Sequence, residues 1–240
     1  MQLSPLPVKL ILSARRAEEL ERVKAACAQP QNIVVLPLDL AVSNSHADKV
    51  AEAIKAFGQV DVLINNGGIS QRSLVKETVL DVDRKLMEVN YLGSVSLTKQ
   101  LIPHMLERGN GHFAVVTSLT GKFGTPYRSG YAASKHALHG FYDSLRAELE
   151  DDGIRVTIVA PGFVKTNVSI NAFVGDGSKA NVMDDAQANG ISAEACARAI
   201  IRAIQRNKRE IYVGRESYGV YVKRFFPGLF ARIIKRAKVR

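Results

Sequence analysis

The chain of 240 residues contains no tryptophan and only two cysteines, Cys27 and Cys196. Two cysteines cannot build a disulfide framework, and both lie in alanine-rich stretches, so we expect small core residues in a reducing, cytoplasmic setting. No apolar run reaches the ~18 residues of a membrane-spanning helix, and no signal peptide is recognisable. The five histidines lack the spacing of metal ligands, so we predict no metal site.

The positive charge of the chain is concentrated near one end. Residues 215–240 contain eight Lys or Arg and one Glu, a net charge of +7, whereas the whole chain carries +10. The remaining residues therefore carry only +3. This distribution gives no basic face to the main part of the chain and argues against a nucleic-acid partner.

Short apolar runs rich in β-branched residues alternate with stretches of helical character. This alternation predicts an α/β fold with a parallel sheet covered by helices on both faces, and ligands then bind beyond the carboxyl ends of the strands. Pro5 and Pro7 predict an extended or disordered lead-in over residues 1–7. The predicted strands are 8–13, 33–38, 60–64, a run ending at Ser118, 155–160 and 210–213, and the predicted helices are 17–28, 43–57, 82–107, 131–150 and 193–205.

One stretch, SLTGKFGTPYRSGYAASK, carries three reactive groups: Ser118, Tyr131 and Lys135. Tyr131 and Lys135 are four residues apart, so on a helix they share one face. A lysine ammonium near a phenol stabilises the phenolate, and a phenol with a lowered pKa can exchange a proton with a carbonyl or alcohol oxygen. The alternative is an ordinary amphipathic helix, on which Tyr-x-x-x-Lys is common. The serine at a strand end and the glycine-containing loop before the tyrosine favour the catalytic interpretation.

This combination resembles the short-chain dehydrogenase/reductase family, with Asn90 in Glu88-Val89-Asn90-Tyr91 matching the family's asparagine. Other segments resemble the family's "member 7" dehydrogenase/reductase branch: residues 70–73, 131–137 and 182–184. The resemblance covers about residues 8–213. It implies a Rossmann-like doubly wound parallel sheet. It also implies an NADP(H)-dependent oxidoreductase, a carbonyl reductase that interconverts a carbonyl and an alcohol by hydride transfer.

The family's mechanism, carried over by resemblance, makes Tyr131 the general acid/base. Lys135 then lowers the pKa of Tyr131 and holds the cofactor's ribose, Ser118 orients the substrate oxygen, and Asn90 supports a proton-relay water. Phe163 and residues 167–190 are expected to shape the pocket for a small-molecule carbonyl or alcohol. Residues 167–190 are expected to act as a mobile lid. The resemblance also implies a homodimer or homotetramer paired through residues 82–107 and 131–150.

Further matches predict the cofactor site. Arg15 follows the first strand, and Ala14 stands where family members that prefer NAD(H) carry an aspartate, so we favour NADP(H) over NAD(H). Arg15 and Arg16 as solvated residues opening a helix are the alternative. Asp39 resembles the aspartate beside the adenine, and Thr166 the threonine that bonds the nicotinamide carboxamide. The remaining predicted contacts are Asn66 and Gly67 in Asn65-Asn66-Gly67-Gly68, and Pro161 and Val164 after the fifth strand. For the segment that contains Pro161 and Val164, the alternative is a simple turn that ends the strand.

The family's Thr-Gly-x-x-x-Gly-x-Gly motif is missing. In the family, that loop follows a strand in the middle of the sheet and presents helix N-terminal amides to the pyrophosphate. Without this first βα unit, we expect a gap in the sheet and a weakened pyrophosphate site. Two hypotheses follow: a reductase with a truncated N-terminus, whose upstream genomic sequence encodes the loop, or a catalytically silent binding or membrane-associated scaffold.

Residues 1–214 are therefore predicted to form the Rossmann-like domain and residues 215–240 a basic amphipathic tail. Apolar residues recur at helical spacing in the tail, with Arg and Lys between them. One interpretation is peripheral attachment to an anionic membrane. The alternative is a terminal helix that packs on the substrate pocket or on a partner subunit.

Overall fold

The structure, a computed structural model, describes residues 2–237. The predicted alternation of strands and helices is confirmed over this range. The strands are β1 Leu10–Leu12, β2 Ile33–Val35, β3 Val62–Asn65, β4 Gly111–Val116, β5 Ile154–Pro161, β6 Val164–Lys165, β7 Ile191–Ser192 and β8 Glu210–Val213. The helices are α1 Ala17–Ala25, α2 His46–Phe57, α3 Leu80–Met87, α4 Gly93–Glu107, α5 Ser129–Leu149, α6 Asp185–Ala188, α7 Ala193–Gln205, α8 Tyr218–Phe225 and α9 Pro227–Lys235.

The centre of the fold is a parallel sheet of four strands in the order β3-β4-β5-β8. β4 and β5 are buried over almost their whole length, as expected for parallel strands covered on both faces. Helices α4 and α5 pack on this sheet and form the main core. Its fully or nearly buried residues are Leu101, Met105, Phe113, Val115, Leu138, Tyr142, Leu145, Ile154, Val156 and Ile158.

The gap expected in the sheet is present. β1 and β2 pair with each other in parallel but form a separate sheet of two strands, without a hydrogen-bonded strand between them and β3 among residues 2–237. All three residues of β1 are only half-buried, and Val62 at the start of β3 is 41% exposed. The strands on either side of the gap are therefore covered less well than β4 and β5.

Two expectations about local structure are wrong. The lead-in is not extended over residues 2–7 but forms turns, and Ser4 is buried where its hydroxyl accepts a hydrogen bond from the Ala28 amide at 3.2 Å. Met1 lies outside the described residues. The long helix expected over 82–107 is interrupted by a π-helical turn, Glu88–Leu92. A π-turn of this kind is a single turn inside a longer helix, which is too short for sequence periodicity to reveal.

Both cysteines are buried and free, as expected. None of the helices in residues 2–237 combines the length and the apolar character that crossing a membrane requires. Residues 215–237 form a short turn followed by α8 and α9. The last three residues of the predicted tail, 238–240, lie outside the described part of the chain, and the division at residue 214 stays a prediction.

Candidate active site

Ser118 lies just beyond the end of β4, where the chain leaves the sheet. Its hydroxyl accepts a hydrogen bond from the Thr120 amide at 3.2 Å and thereby caps a short 3-10 turn, Leu119–Gly121. The same hydroxyl donates to the Pro161 carbonyl at the end of β5, 3.4 Å away. Ser118 is therefore held between two strand ends, at the edge of the sheet where ligands bind in such folds.

Tyr131 and Lys135 lie on the first turns of α5, on one face as their spacing predicts. The Lys135 Nζ atom lies 5.8 Å from the centroid of the Tyr131 ring. It donates a hydrogen bond to the Val116 carbonyl at 2.9 Å, which ties α5 to the end of β4. Lys135 is only 4% exposed, and burial lowers its pKa to about 8. Its proton is therefore held less tightly than that of an ordinary lysine.

The phenol of Tyr131 is subject to opposing influences. Burial raises its pKa, because a phenolate is poorly solvated away from water. A hydrogen bond with the Ser118 side chain and the positive charges of Arg128 and Arg72 act in the other direction. The predicted serine and tyrosine are therefore close enough for their side chains to interact.

Asn90 is fully buried in the π-turn. Its side-chain oxygen accepts from the Ile69 amide at 2.8 Å, and its amide nitrogen donates to the Ile69 carbonyl at 3.0 Å and to the Ser134 hydroxyl at 2.9 Å. Ser134 precedes Lys135 in α5. Asn90 therefore joins the loop after β3 to the helix that carries Tyr131 and Lys135. π-Turns are frequent at functional sites, which agrees with the role predicted for Asn90.

Gln71 holds the start of α5 and was not predicted as a site residue. Helix α5 has no side-chain cap of its own at Arg128. Instead, the fully buried Gln71 accepts hydrogen bonds through Oε1 from the amides of Gly130, at 2.9 Å, and Tyr131, at 3.3 Å. A glutamine 60 residues away thus satisfies two of the amides that a helix start leaves without partners. The only signal in the sequence was its place in the segment that resembles the member 7 branch.

A buried cluster of charges was also missed. Arg72 binds the carboxylate of Asp184 with 2.6 Å between Nε and Oδ2, and Arg128 approaches the same oxygen at 3.4 Å. All three side chains are at most 8% exposed. Burial and, second to it, the charge of Arg72 lower the pKa of Arg128 to about 10, although Tyr131 and Asp184 act in the opposite direction. The two arginines are also the charges that act on Tyr131, so the cluster belongs to the electrostatic environment of the phenol.

The same cluster fastens the predicted lid segment, residues 167–190. Asp184 lies in this segment, and the Arg72 amide donates to the Phe173 carbonyl at 2.8 Å. Phe163, the other residue predicted to shape the pocket, lies with its ring centroid 5.1 Å from the Arg128 guanidinium carbon. A cavity of about 420 Å³ lies against the cluster and is lined by Arg72, Val174, Ala180, Val182, Met183, Asp184 and Asp185.

The residues predicted to hold the adenosine end of a cofactor lie side by side. The Leu38 amide donates to the Ala14 carbonyl at 3.0 Å, which places Arg15 next to the chain that leads to Asp39. Arg15 is exposed and Asp39 is half-buried. The Asp39 carboxylate accepts a hydrogen bond from the Ala41 amide at 3.0 Å. Both side chains lie at the carboxyl ends of β1 and β2.

The loop after β3 connects this end to the catalytic residues. Asn66 and Gly67 are exposed, whereas Asn65 is buried and donates to Thr98 and Tyr142. A Cβ atom added at Gly67 would lie 2.6 Å from Leu40 Cδ1, so the chain after β2 packs directly on this glycine. Asn65 thus supports the loop from the core while Asn66 and Gly67 face outward.

The predicted nicotinamide contacts follow β5. Pro161 is the last residue of β5 and is buried, whereas Val164 is half-buried in β6. Thr166 is exposed, and its hydroxyl donates to the Val164 carbonyl at 3.3 Å. Gln187 donates to the same carbonyl and lies 3.5 Å from Thr166 Oγ1. This segment therefore lies beside the strand end that holds Ser118.

A nicotinamide dinucleotide, the cofactor that the resemblance implies, fits one end of this site. The exposed backbone of Gly68 lies so close to the catalytic residues that an added Cβ would be 3.1 Å from Asn90 Oδ1 and 3.5 Å from Lys135 Nζ. An ammonium has three donors, of which the Val116 carbonyl takes one, so Lys135 has donors for the hydroxyls of a ribose. The pyrophosphate end does not fit: within residues 2–237 no glycine-rich loop leads from a strand into a helix.

Comparison with known families agrees with this site. The family model described as "short chain dehydrogenase" matches residues 2–175. Dehydrogenase/reductase SDR family member 7B of Mus musculus is 44% identical over 233 residues, covering 94% of this chain and 72% of that protein. Dehydrogenase/reductase SDR family member 7 of Homo sapiens is 43% identical over 223 residues, covering 90% of this chain and 66% of that protein.

Solved structures show the same fold. A short-chain dehydrogenase from Streptomyces avermitilis superposes with a TM-score of 0.79 at 27% identity, covering 94% of this chain and 85% of that one. A short-chain dehydrogenase/reductase from Burkholderia phymatum in complex with NAD gives a TM-score of 0.81 at 20% identity, covering 95% and 88%. An alcohol dehydrogenase from Thermococcus sibiricus complexed with 5-hydroxy-NADP gives a TM-score of 0.73 at 22% identity, covering 90% of this chain and 89% of that one.

The chain therefore belongs to the short-chain dehydrogenase/reductase family, a family of oxidoreductases. Its similarity to the two member 7 proteins places it in the member 7 branch of that family. The family and the Rossmann-like α/β fold class predicted from the sequence are both confirmed. The roles of the individual site residues stay predictions.

Replacing Gln71 tests its role at the start of α5. In Gln71→Leu, the amides of Gly130 and Tyr131 lose their acceptor in a buried site, so we expect a loss of about 2 kcal/mol in the free energy of unfolding. Hydrogen exchange at these two amides should accelerate. Gln71→Glu keeps an acceptor and should retain more of their protection. Gln100→Leu, on the exposed face of α4, is the matched control; equal stability of the two leucine variants would contradict the assignment.

The lowered pKa of Lys135 predicts a pH-dependent stability. Between pH 8 and pH 10.5, folded protein has lost this proton while unfolded protein retains it, so the lysine's contribution to stability rises with pH. Lys135→Met removes this contribution. The stability of Lys135→Met relative to the unchanged protein should therefore fall across this window in urea unfolding. Lys99→Met, at an exposed position on α4, should show a constant difference, and the same constancy for Lys135→Met would refute an abnormally low pKa.

Proposed function

We propose that this protein interconverts a carbonyl and an alcohol in an NADP(H)-dependent reaction. The observation that carries the proposal is the interaction between the side chains of Ser118 and Tyr131, with the Lys135 ammonium next to the tyrosine ring. These groups come from the end of β4 and the start of α5, so two rigid elements fix their geometry. The substrate is a small-molecule carbonyl or alcohol.

Tyr131 is the proton donor in the reduction direction and the acceptor in the oxidation direction. When its proton leaves, the phenolate is stabilised by the Ser118 hydroxyl and by the nearby cationic groups. Lys135 adds its charge from 5.8 Å, as long as it keeps its proton. These effects oppose the burial only in part, and the pKa of the Tyr131 phenol remains raised.

Ser118 holds the substrate oxygen against Tyr131, because its hydroxyl is fixed at the strand ends and bonded to the phenol. Asn90 keeps the Ile69 backbone and Ser134 in place around Lys135. We assign to Asn90 the support of a water that returns the proton to the site. Both roles require orientation more than charge, and both side chains are at most 9% exposed.

The cofactor would lie along the carboxyl ends of the strands. Arg15 and Asp39 would hold its adenosine end, Asn66 and Gly67 the middle, and Lys135, Pro161, Val164 and Thr166 the nicotinamide end. A bound nicotinamide supplies the hydride. The fold alone does not decide between NADP and NAD, since structures of this fold carry either. Exposed Arg15 beside Asp39, with alanine at position 14, supports NADP(H), because a guanidinium matches a 2′-phosphate.

Titration of the purified protein with NADPH and NADH, followed by the fluorescence of the reduced nicotinamide, tests the cofactor. We expect tighter binding of NADPH, since only this cofactor offers a 2′-phosphate to Arg15. Arg15→Glu should reduce or reverse the preference, whereas Arg206→Glu, exposed after α7, should leave it unchanged. No binding by well-folded protein would favour the alternative function, a catalytically silent scaffold, for which the unmatched pyrophosphate end is the supporting observation.

Tyr131→Phe tests the proton transfer. The variant keeps the ring but loses the hydroxyl, so the rate of ketone reduction with NADPH should fall about 100-fold or more, while NADPH binding persists. The measurement is cofactor oxidation with a panel of ketones and lipid aldehydes. Tyr218→Phe, at a position 75% exposed, is the control and should retain the rate. Unchanged turnover in Tyr131→Phe would refute the mechanism without affecting the cofactor assignment.

A further inference from the structure

Helices α8 and α9 are built into the domain through one of their faces. Phe230 of α9 is only 9% exposed and packs with Leu119, Phe123 and Ala160 in a second apolar cluster. Its ring lies edge-on to Phe123, with 5.1 Å between the centroids. Leu119 directly follows Ser118, so these helices lie beside the catalytic loop. They are therefore held at a fixed place on the domain surface.

A second side of the two helices is apolar and exposed. We call it the tail face. Its members are 51–75% exposed, and all the aromatic residues among the exposed large apolar side chains belong to it. At 100° per residue, each helix presents its members as one stripe. The tail face consists of Tyr218, Tyr221, Phe225, Phe226, Leu229 and Ile233.

Exposed basic side chains border these stripes. On the helical wheel, Arg224 lies next to the α8 stripe, and Arg232 and Arg236 lie next to Leu229 of α9. None of these three arginines forms an ion pair within residues 2–237, where the ion pairs involve other residues. The surface therefore combines aromatic side chains with positive charge.

We propose that the tail face docks on an anionic lipid surface. A bilayer with acidic headgroups supplies an apolar layer for the phenylalanines and leucine, and negative charge for the arginines beside them. Tyrosine is favoured at the level of the headgroups, where its ring is apolar and its hydroxyl is hydrated. An exposed apolar surface bordered by charge of one sign marks an interaction site rather than ordinary protein surface.

A second copy of the chain fits this surface less well. A two-fold interface brings the same patch of both subunits together. The tail face would then meet its own arginines, and like charges would be placed in contact as the interface was desolvated. The net charge of +7 on residues 215–240 adds to this repulsion. The same charge attracts an acidic membrane.

Sedimentation of the full chain with vesicles tests the proposal. We expect it to sediment with vesicles of phosphatidylcholine containing phosphatidylserine, not with pure phosphatidylcholine, and to do so less as salt is added. Two double variants should each bind at least about tenfold more weakly: Phe225→Ser with Phe226→Ser, and Arg232→Glu with Arg236→Glu. Circular dichroism should show both to be folded, since all four side chains are exposed.

Matched pairs elsewhere on the surface are the controls. Val75→Ser with Leu80→Ser removes exposed apolar side chains near α3, and Arg198→Glu with Arg202→Glu reverses charge on α7. Both should bind like the unchanged protein. Failure of the unchanged protein to sediment with either vesicle would overturn the proposal. Undiminished vesicle binding by the tail-face variants would also overturn the proposal. If a tail-face variant instead converted a dimer into a monomer and left vesicle binding unaltered, the tail face would be a subunit interface and the proposal would again be wrong.

Discussion

The geometry of the proposed catalytic site depends on the hydrogen bonds that Gln71 makes to the first amides of α5. Through them, the loop after β3 fixes the point at which the helix begins, and Tyr131 is one of the two residues bound. The Nε2 atom of the same side chain has two hydrogens and lies within 3.3 Å of three hydroxyl oxygens, those of Ser73, Thr78 and Ser129, so all of its polar atoms are satisfied in a buried place. A helix start fixed from outside cannot fray or slide by one residue, which would turn Tyr131 away from Ser118.

The charge around the phenol comes from three parts of the chain. Lys135 is one turn away on the same helix, whereas Arg72 and Arg128 belong to the loop after β3 and to the start of α5. Asp184 holds both arginines, and residues of its segment line the cavity beside the cluster. A buried carboxylate shared by two arginines is stable only while all three groups remain together. The position of the lid segment and the electrostatic environment of Tyr131 are therefore coupled.

The sequence predicted those features that local spacing determines. Apolar runs marked β4, β5 and α5, and a spacing of four residues placed Tyr131 and Lys135 on one face. Gln71 and Asp184 were missed because their partners lie 60 and 112 residues away, and no local pattern indicates which buried amide or guanidinium such a side chain will meet. The π-turn at Asn90 was missed because it is one turn of altered backbone hydrogen bonding inside a longer helix, too short to change the apolar pattern recognisably.

The gap in the sheet divides the site into two unequally supported halves. Ser118 and Lys135 rest on β4 and β5, which are buried and hydrogen-bonded on both sides. Arg15 and Asp39 rest on β1 and β2, which are joined to the rest through Leu40 against Gly67 and Gly93 rather than through a strand ladder. Two strands alone are only marginally stable. The proposed adenosine recognition should therefore be the more easily lost property, and weak cofactor binding would not by itself argue against the proposed catalytic role of Ser118, Tyr131 and Lys135.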